Sequence, residues 1–130
     1  MKAGDTFHLP DFAGGHINFC LEAFDDGSVI TCNFTDYAHI DKACVVDAGE
    51  HPDVTKKSVV NFKKAHHCED GQPKEALERL IGGKYKKPLN PDLLARIRKA
   101  ALDSPHTSDD IKAALKAKDE KANQSRERKV

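Results

Sequence analysis

Residues 16–24, His-Ile-Asn-Phe-Cys-Leu-Glu-Ala-Phe, and 29–35, Val-Ile-Thr-Cys-Asn-Phe-Thr, are two apolar, alternating runs joined by Asp25-Asp26-Gly27-Ser28. Nothing else in the chain restricts its fold as strongly. Side chains of a strand point alternately to opposite faces, so Ile17, Phe19 and Leu21 oppose His16, Asn18, Cys20 and Glu22. Likewise Ile30, Cys32 and Phe34 oppose Thr31, Asn33 and Thr35. Asp-Gly tolerates positive φ, and between two such runs it signals a hairpin. Three shorter runs flank this pair. Residues 4–9 form a strand closed by Pro10, residues 42–47 a strand ended by Ala48-Gly49, and residues 58–62 a fifth strand or edge segment. No long helix separates these runs, which predicts a closed or nearly closed antiparallel barrel rather than a βαβ unit.

Beyond residue 68 the character of the chain changes. Lys plus Arg and Asp plus Glu are both 21, so the formal net charge is zero, but residues 1–68 carry −4 and residues 69–130 carry +4. All six Phe lie in the first part. In the second part, Gln72-Pro73-Lys74-Glu75 opens a helix with Pro near its first turn, Leu77, Leu80 and Ile81 give it an apolar face, and Gly82-Gly83 ends it. Asn90-Pro91-Asp92 opens another, with Asn90 as N-cap, Leu93, Leu94, Ile97 and Ala101 facing inward, and Ser104-Pro105 as its stop. A third starts near Thr107 or Ser108 on Ile111, Ala114 and Leu115. From about Ala117 the chain has too little apolar surface to pack, so fraying or disorder is expected. The reading is α+β, mainly β with C-terminal helices: a five-stranded barrel over 1–68, a helical extension of two or three helices over 69–118 packed on or beside it, and a disordered tail over 119–130.

Several classes of function are excluded or disfavoured. No run of 18 apolar residues exists, so no transmembrane helix is expected. The opening residues lack an apolar signal-peptide core, and a cytoplasmic location is expected. There is no Walker A, GxGxxG, GxSxG or HExxH motif. The four cysteines, Cys20, Cys32, Cys44 and Cys68, contain no CxxC and read as reduced thiols rather than a disulfide frame. No Cys or His pair has the close spacing of a zinc site, and adjacent His66 and His67 on a strand point to opposite faces, so no metal or other cofactor is expected.

Seven histidines are many for 130 residues. Imidazole titrates near neutrality, so converging histidines can carry general acid–base chemistry, and His16 with His51 are the leading pair. The segment Gly49-Glu-His-Pro-Asp-Val-Thr-Lys-Lys-Ser58 places Thr55, Lys56, Lys57 and Ser58 in succession, two ammonium groups and two hydroxyls suited to a phosphate or to a solvated loop. Lys84, Lys86, Lys87, Arg96, Arg98 and Lys99 offer either a basic surface for nucleic acid or a soluble helical face.

The order Gly4-Asp5-Thr-Phe, Gly15-His16-Ile-Asn-Phe-Cys-Leu and Val29-Ile-Thr-Cys-Asn-Phe-Thr35 resembles the MazF/PemK-like toxin group over about residues 4–62. That resemblance implies a small SH3-like barrel with added helices. It implies a metal-independent endoribonuclease, a possible homodimer, and an antitoxin or other protein partner. The group's catalytic Arg aligns with His16 and its catalytic Thr or Ser with Thr35. The Arg is replaced and the Pro that usually follows it is absent, so imidazole must take over if the site is active. His16 and His51 are then expected to exchange protons with RNA, Thr35 to act beside them, and Thr55, Lys57 and Ser58 to contact the phosphate. Two other readings stand beside this one. One is a non-catalytic barrel that binds RNA or protein. The other is a phage or plasmid accessory protein that occludes a host protein.

Overall fold

The computed structural model describes residues 1–9 and 17–127, with side chains described up to residue 124. Seven strands run β1 (Thr6–His8), β2 (Ile17–Ala23), β3 (Val29–Asp36), β4 (Val45–Val46), β5 (Ser58–Val60), β6 (His66–Cys68) and β7 (Tyr85–Lys86). Three α-helices follow or intervene: α1 (Gln72–Ile81), α2 (Pro91–Asp103) and α3 (Asp109–Glu127). The sheet order is β4-β5-β3-β2-β1-β7, with β6 also paired to β3, and every pairing is antiparallel.

The hairpin forms at its expected place. Asp26 Oδ1 accepts from the Ser28 amide at 2.8 Å and from its hydroxyl at 2.6 Å, closing the turn. Gly27 sits at φ 91°, a backbone conformation that favours glycine, and a Cβ there would also push the exposed Asp70 carboxylate aside. β3 is the centre of the sheet. One edge pairs with β2 at Val29–Asn33, while the other pairs with β6 at Val29–Thr31 and with β5 at Phe34–Asp36. The two ends of the path, β4 and β7, do not pair with each other among the described residues, so hydrogen bonding leaves the sheet open rather than closing the expected barrel.

Both faces of the sheet are covered. Phe19, Leu21, Ile30, Cys32 and Phe34 pack with Leu93, Ile97, Ala101, Ile111 and Leu115 of α2 and α3 in one core. On the other face Cys20, Val29 and Cys68 meet Leu77 of α1, and Phe7, Leu9 and Ile81 extend that layer. A bulge shifts the β2–β3 register between Cys20 and Glu22 and reverses the alternation of β2. Glu22, which unbroken alternation places beside Cys20, therefore turns to α2 and α3 and meets Arg98 and Lys118.

The helical part is not a separate layer appended to a finished sheet. It contributes β7 to the sheet and supplies seven of the seventeen buried residues of the main core. Asn90 caps α2 by accepting from the Asp92 amide at 2.8 Å, with Pro91 in the first turn, and Gly82 ends α1 at φ 60°. The expected disorder after residue 118 is corrected: α3 continues to Glu127. Arg98 grips Asp119 at 2.8 and 2.9 Å, and Lys121 meets Asp25 at 2.7 Å. These charge contacts extend the helix past its last apolar anchor at Leu115. No helix among the described residues is long and apolar enough to cross a membrane.

All four cysteines are buried and unpaired. Desolvation pushes the Cys20 and Cys32 thiols up to about 12. Thiolate is the reactive form, so a thiol reagent at pH 8 is expected to leave the native protein essentially unlabelled and to count four thiols in denaturant. Rapid native labelling would contradict this burial. The same shift makes stability fall as pH rises from about 9 toward 12, because the unfolded thiols ionise before the folded ones.

Candidate functional site

One polar cleft gathers several of the residues expected from sequence. It has a volume of about 350 Å³ and lies where β1, the end of β3, the segment before β5 and β7 meet. Its chemistry comes from His8, Thr35, Asp36, Asp53, Thr55, Lys56, Ser58 and Lys86, over a floor of Ile17, Phe34 and Val54. The sheet register explains the assembly. His8 stands opposite Ile17, Asp36 opposite Ser58 and Thr35 opposite Val59. Lys86 arrives on β7, whose residues Tyr85 and Lys86 pair with Phe7 and Thr6.

The loop over 47–57 is fixed from behind. Arg96 of α2 holds Glu50 with two bonds, Nη1 to Oε1 at 2.8 Å and Nη2 to Oε2 at 2.7 Å, and also donates to the Val45 carbonyl at 3.2 Å. That guanidinium holds the Glu50 carboxyl below its usual range. Glu50 Oε2 in turn accepts from the Asp47 amide at 2.7 Å, and the Gly49 amide donates to the Val54 carbonyl at 2.9 Å. The loop that supplies Asp53, Thr55 and Lys56 is thus clamped to a helix of the core.

His51 does not open into the cleft. It is 1% exposed, its Nε2 lies 2.5 Å from the Lys87 carbonyl oxygen, and its Nδ1 accepts from the Asp53 amide at 3.1 Å. An acceptor Nδ1 assigns the proton to Nε2, which donates to Lys87. The Lys87 carbonyl also accepts from the Thr6 hydroxyl at 2.7 Å. His51 therefore joins the loop of Asp53 to the segment that carries Lys86, and both ring nitrogens are occupied in doing so. His51→Ala is expected to lower stability by about 2 kcal/mol, from a cavity and the loss of its bonds to the Asp53 amide and the Lys87 carbonyl, and to lower the thermal midpoint by several degrees. An unchanged midpoint in a calorimetric scan would refute this structural role.

The remaining sequence candidates divide. Thr35, Thr55 and Ser58 line the cleft together. The Ser58 hydroxyl donates to the Lys56 carbonyl at 2.9 Å, so its oxygen is left as an acceptor. Lys57 turns away, with its ammonium 4.3 Å from the centre of the Tyr37 ring. His16 lies outside the described residues. From sequence, Lys56 belongs to the phosphate segment and Lys86 to a separate basic surface, whereas His8 is not singled out; the structure puts all three in this cleft. His8 carried a readable signal, since it alternates with Phe7 and Leu9 on the opposite face, but its partner strand was not readable. Lys56 pairs with Asp36 at 2.8 Å, on side chains 71% and 59% exposed, so a solvated ion pair frames one rim. Among the described residues no three His, Cys, Asp or Glu side chains are grouped to hold a metal ion.

The cleft holds one imidazole, two ammonium groups, three hydroxyls and two carboxylates, one of them paired with Lys56, a set that can move a proton and offers Lys86 and the hydroxyls to a phosphate ester. Comparison with family models, with curated proteins and with solved structures finds no match to this chain.

Proposed function

We propose that the chain is a metal-independent endoribonuclease of the toxin kind, acting on single-stranded RNA in the cleft beside His8. The observation that carries the reading is the gathering of His8, Thr35, Thr55 and Lys86 in one polar cleft. In the proposed step His8 takes the proton of the ribose 2′-hydroxyl. The 2′-oxygen bonds to phosphorus as the bond from phosphorus to the 5′-oxygen breaks, and water in the open cleft protonates the departing oxygen. The products are a 2′,3′-cyclic phosphate and a 5′-hydroxyl. Lys86, with the Thr35 and Thr55 hydroxyls, stabilises the charge that gathers on the phosphoryl oxygens. His51 is a positioning residue here, acting through Asp53 and Lys87. The resemblance to the MazF/PemK-like group, whose fold is an SH3-like barrel, supports the same chemistry and aligns that group's catalytic Thr or Ser with Thr35. His16 immediately precedes Ile17, a residue of the cleft floor.

The test is incubation of purified protein with mixed-sequence single-stranded RNA in EDTA. Fragments ending in a 2′,3′-cyclic phosphate are expected. Intact RNA that is nevertheless retained, with retention falling as salt rises, would replace this reading with a non-catalytic RNA-binding module.

A further inference from the structure

Beside the cleft, a partly exposed aromatic ring has two ammonium groups near it. Tyr37 directly follows Asp36 at the end of β3 and is 43% exposed. The Lys42 ammonium lies 4.1 Å and the Lys57 ammonium 4.3 Å from its ring centre. Lys42 also donates to the His39 carbonyl at 2.6 Å, which fixes one of the two cations to the same turn. Ile40, three residues on, is 79% exposed. Chain continuity ties this patch to the cleft twice: Tyr37 adjoins Asp36, and Lys57 lies between Lys56 and Ser58, where Asp36, Lys56 and Ser58 line the cleft.

We infer that Tyr37, Lys42 and Lys57 form a nucleotide subsite, in which a base of single-stranded RNA stacks on the Tyr37 ring and the two ammonium groups take the flanking phosphates. The inference rests on the reading of the cleft as an RNA-cleaving site and extends it to the strand running away from the scissile phosphate. An exposed ring offers a π-face to any base, and stacking of this kind is tolerant of sequence. The ammonium groups already lie at cation–π distance, so a base that displaces one of them leaves it within reach of the adjoining phosphate. A duplex keeps its bases stacked on each other and gains nothing from the ring. The surface thus selects a single strand.

The test separates this inference from the chemistry by using a strand that cannot be cleaved. A fluorescein-labelled 2′-O-methyl oligonucleotide of mixed sequence is titrated with the full chain and followed by anisotropy. Tyr37→Ala is expected to weaken binding about tenfold or more, and Tyr37→Phe to keep it near the wild-type value. Lys42→Ala and Lys57→Ala are each expected to flatten the slope of log affinity against log salt by about 0.7. The chain has no Trp and two Tyr, so in a Tyr85→Phe background Tyr37 alone reports. Its fluorescence is expected to be quenched as the oligonucleotide binds. An unchanged affinity in a Tyr37→Ala protein with a wild-type urea midpoint would overturn the subsite while leaving cleavage untouched. Equal affinity for duplex would overturn the stacking. Tyr37-dependent binding without any cleavage of ordinary RNA would keep the subsite and overturn the nuclease.

Discussion

Replacing His8 by Ala is expected to lower the rate of RNA cleavage in EDTA by a factor of roughly 10²–10⁴, the usual contribution of a positioned general base. The fold is expected to tolerate the change. His8 is exposed at the end of β1, and the core on that strand is Phe7, with Thr6 bonded to Lys87. The substitution therefore separates chemistry from folding, as His51→Ala cannot. The measurement is initial rate of cleavage at saturating enzyme, with far-UV circular dichroism as the folding control. A rate within tenfold of wild type in a folded His8→Ala protein would remove imidazole at this position from the mechanism.

Glu22→Ala is expected to cost about 3 kcal/mol, the largest loss of stability predicted for a single side chain here. Its carboxylate is 12% exposed and bridges three elements. Oε2 meets Arg98 Nε of α2 at 3.0 Å, and Oε1 meets Lys118 Nζ of α3 at 2.9 Å and the Ala23 amide at 3.0 Å. Lys118 also donates a short bond to the Ala23 carbonyl. Removing the carboxylate leaves a guanidinium that is 19% exposed with Asp119 as its remaining charged partner. The desolvation already imposed on Arg98 is then only partly compensated, which is why deleting one partner costs more than the pair itself contributes. The urea midpoint is expected to fall by about 1–2 M with an unchanged slope. Lys121→Ala serves as the control. Its pair with Asp25 lies on side chains 70% and 81% exposed, where water screens the charges, and the midpoint is expected to stay in place. Equal midpoints for Glu22→Ala and wild type would show that the bridge between β2 and the helices contributes no stability.

The fold was legible where local chemistry decides. The Asp25–Ser28 hairpin, the Asn90 cap, the Pro91 start and the Gly82 stop are all written in short segments whose φ/ψ needs few other residues. The open sheet was not legible. Closure depends on whether β4 reaches β7, and no periodicity in either two-residue strand carries that information. Glu22 shows a second limit. Alternation assigned it to the face of Cys20, but a single extra residue in β2 reversed the phase and made a clamp out of an apparent surface charge.

The candidate site divides in the same way. Thr55 and Ser58 were readable from their own segment and Thr35 only through the family resemblance; all three line the cleft, where the register of β3 with β5 brings Ser58 beside Thr35. His51 looked like a catalytic imidazole because residue type was all that could be seen. Only packing showed that Lys87 and Asp53 occupy both of its nitrogens.

By itself, the sequence determined the hairpin, the limits of α1 and α2, the burial of Phe7, Phe19, Phe34 and Phe62, and the split between an acidic half and a basic half. These follow from side-chain chemistry and nearest neighbours along the chain. Only the tertiary structure decided that β7 from the basic half joins the sheet, that α3 runs on past its apolar face, and that His8 rather than His51 opens into the cleft. Each of those outcomes depends on contacts between residues far apart in sequence, such as Thr6 with Lys86 and Arg98 with Asp119. Such contacts leave no periodic trace in the segments that make them, and their energy exists only once the sheet and the helices have come together.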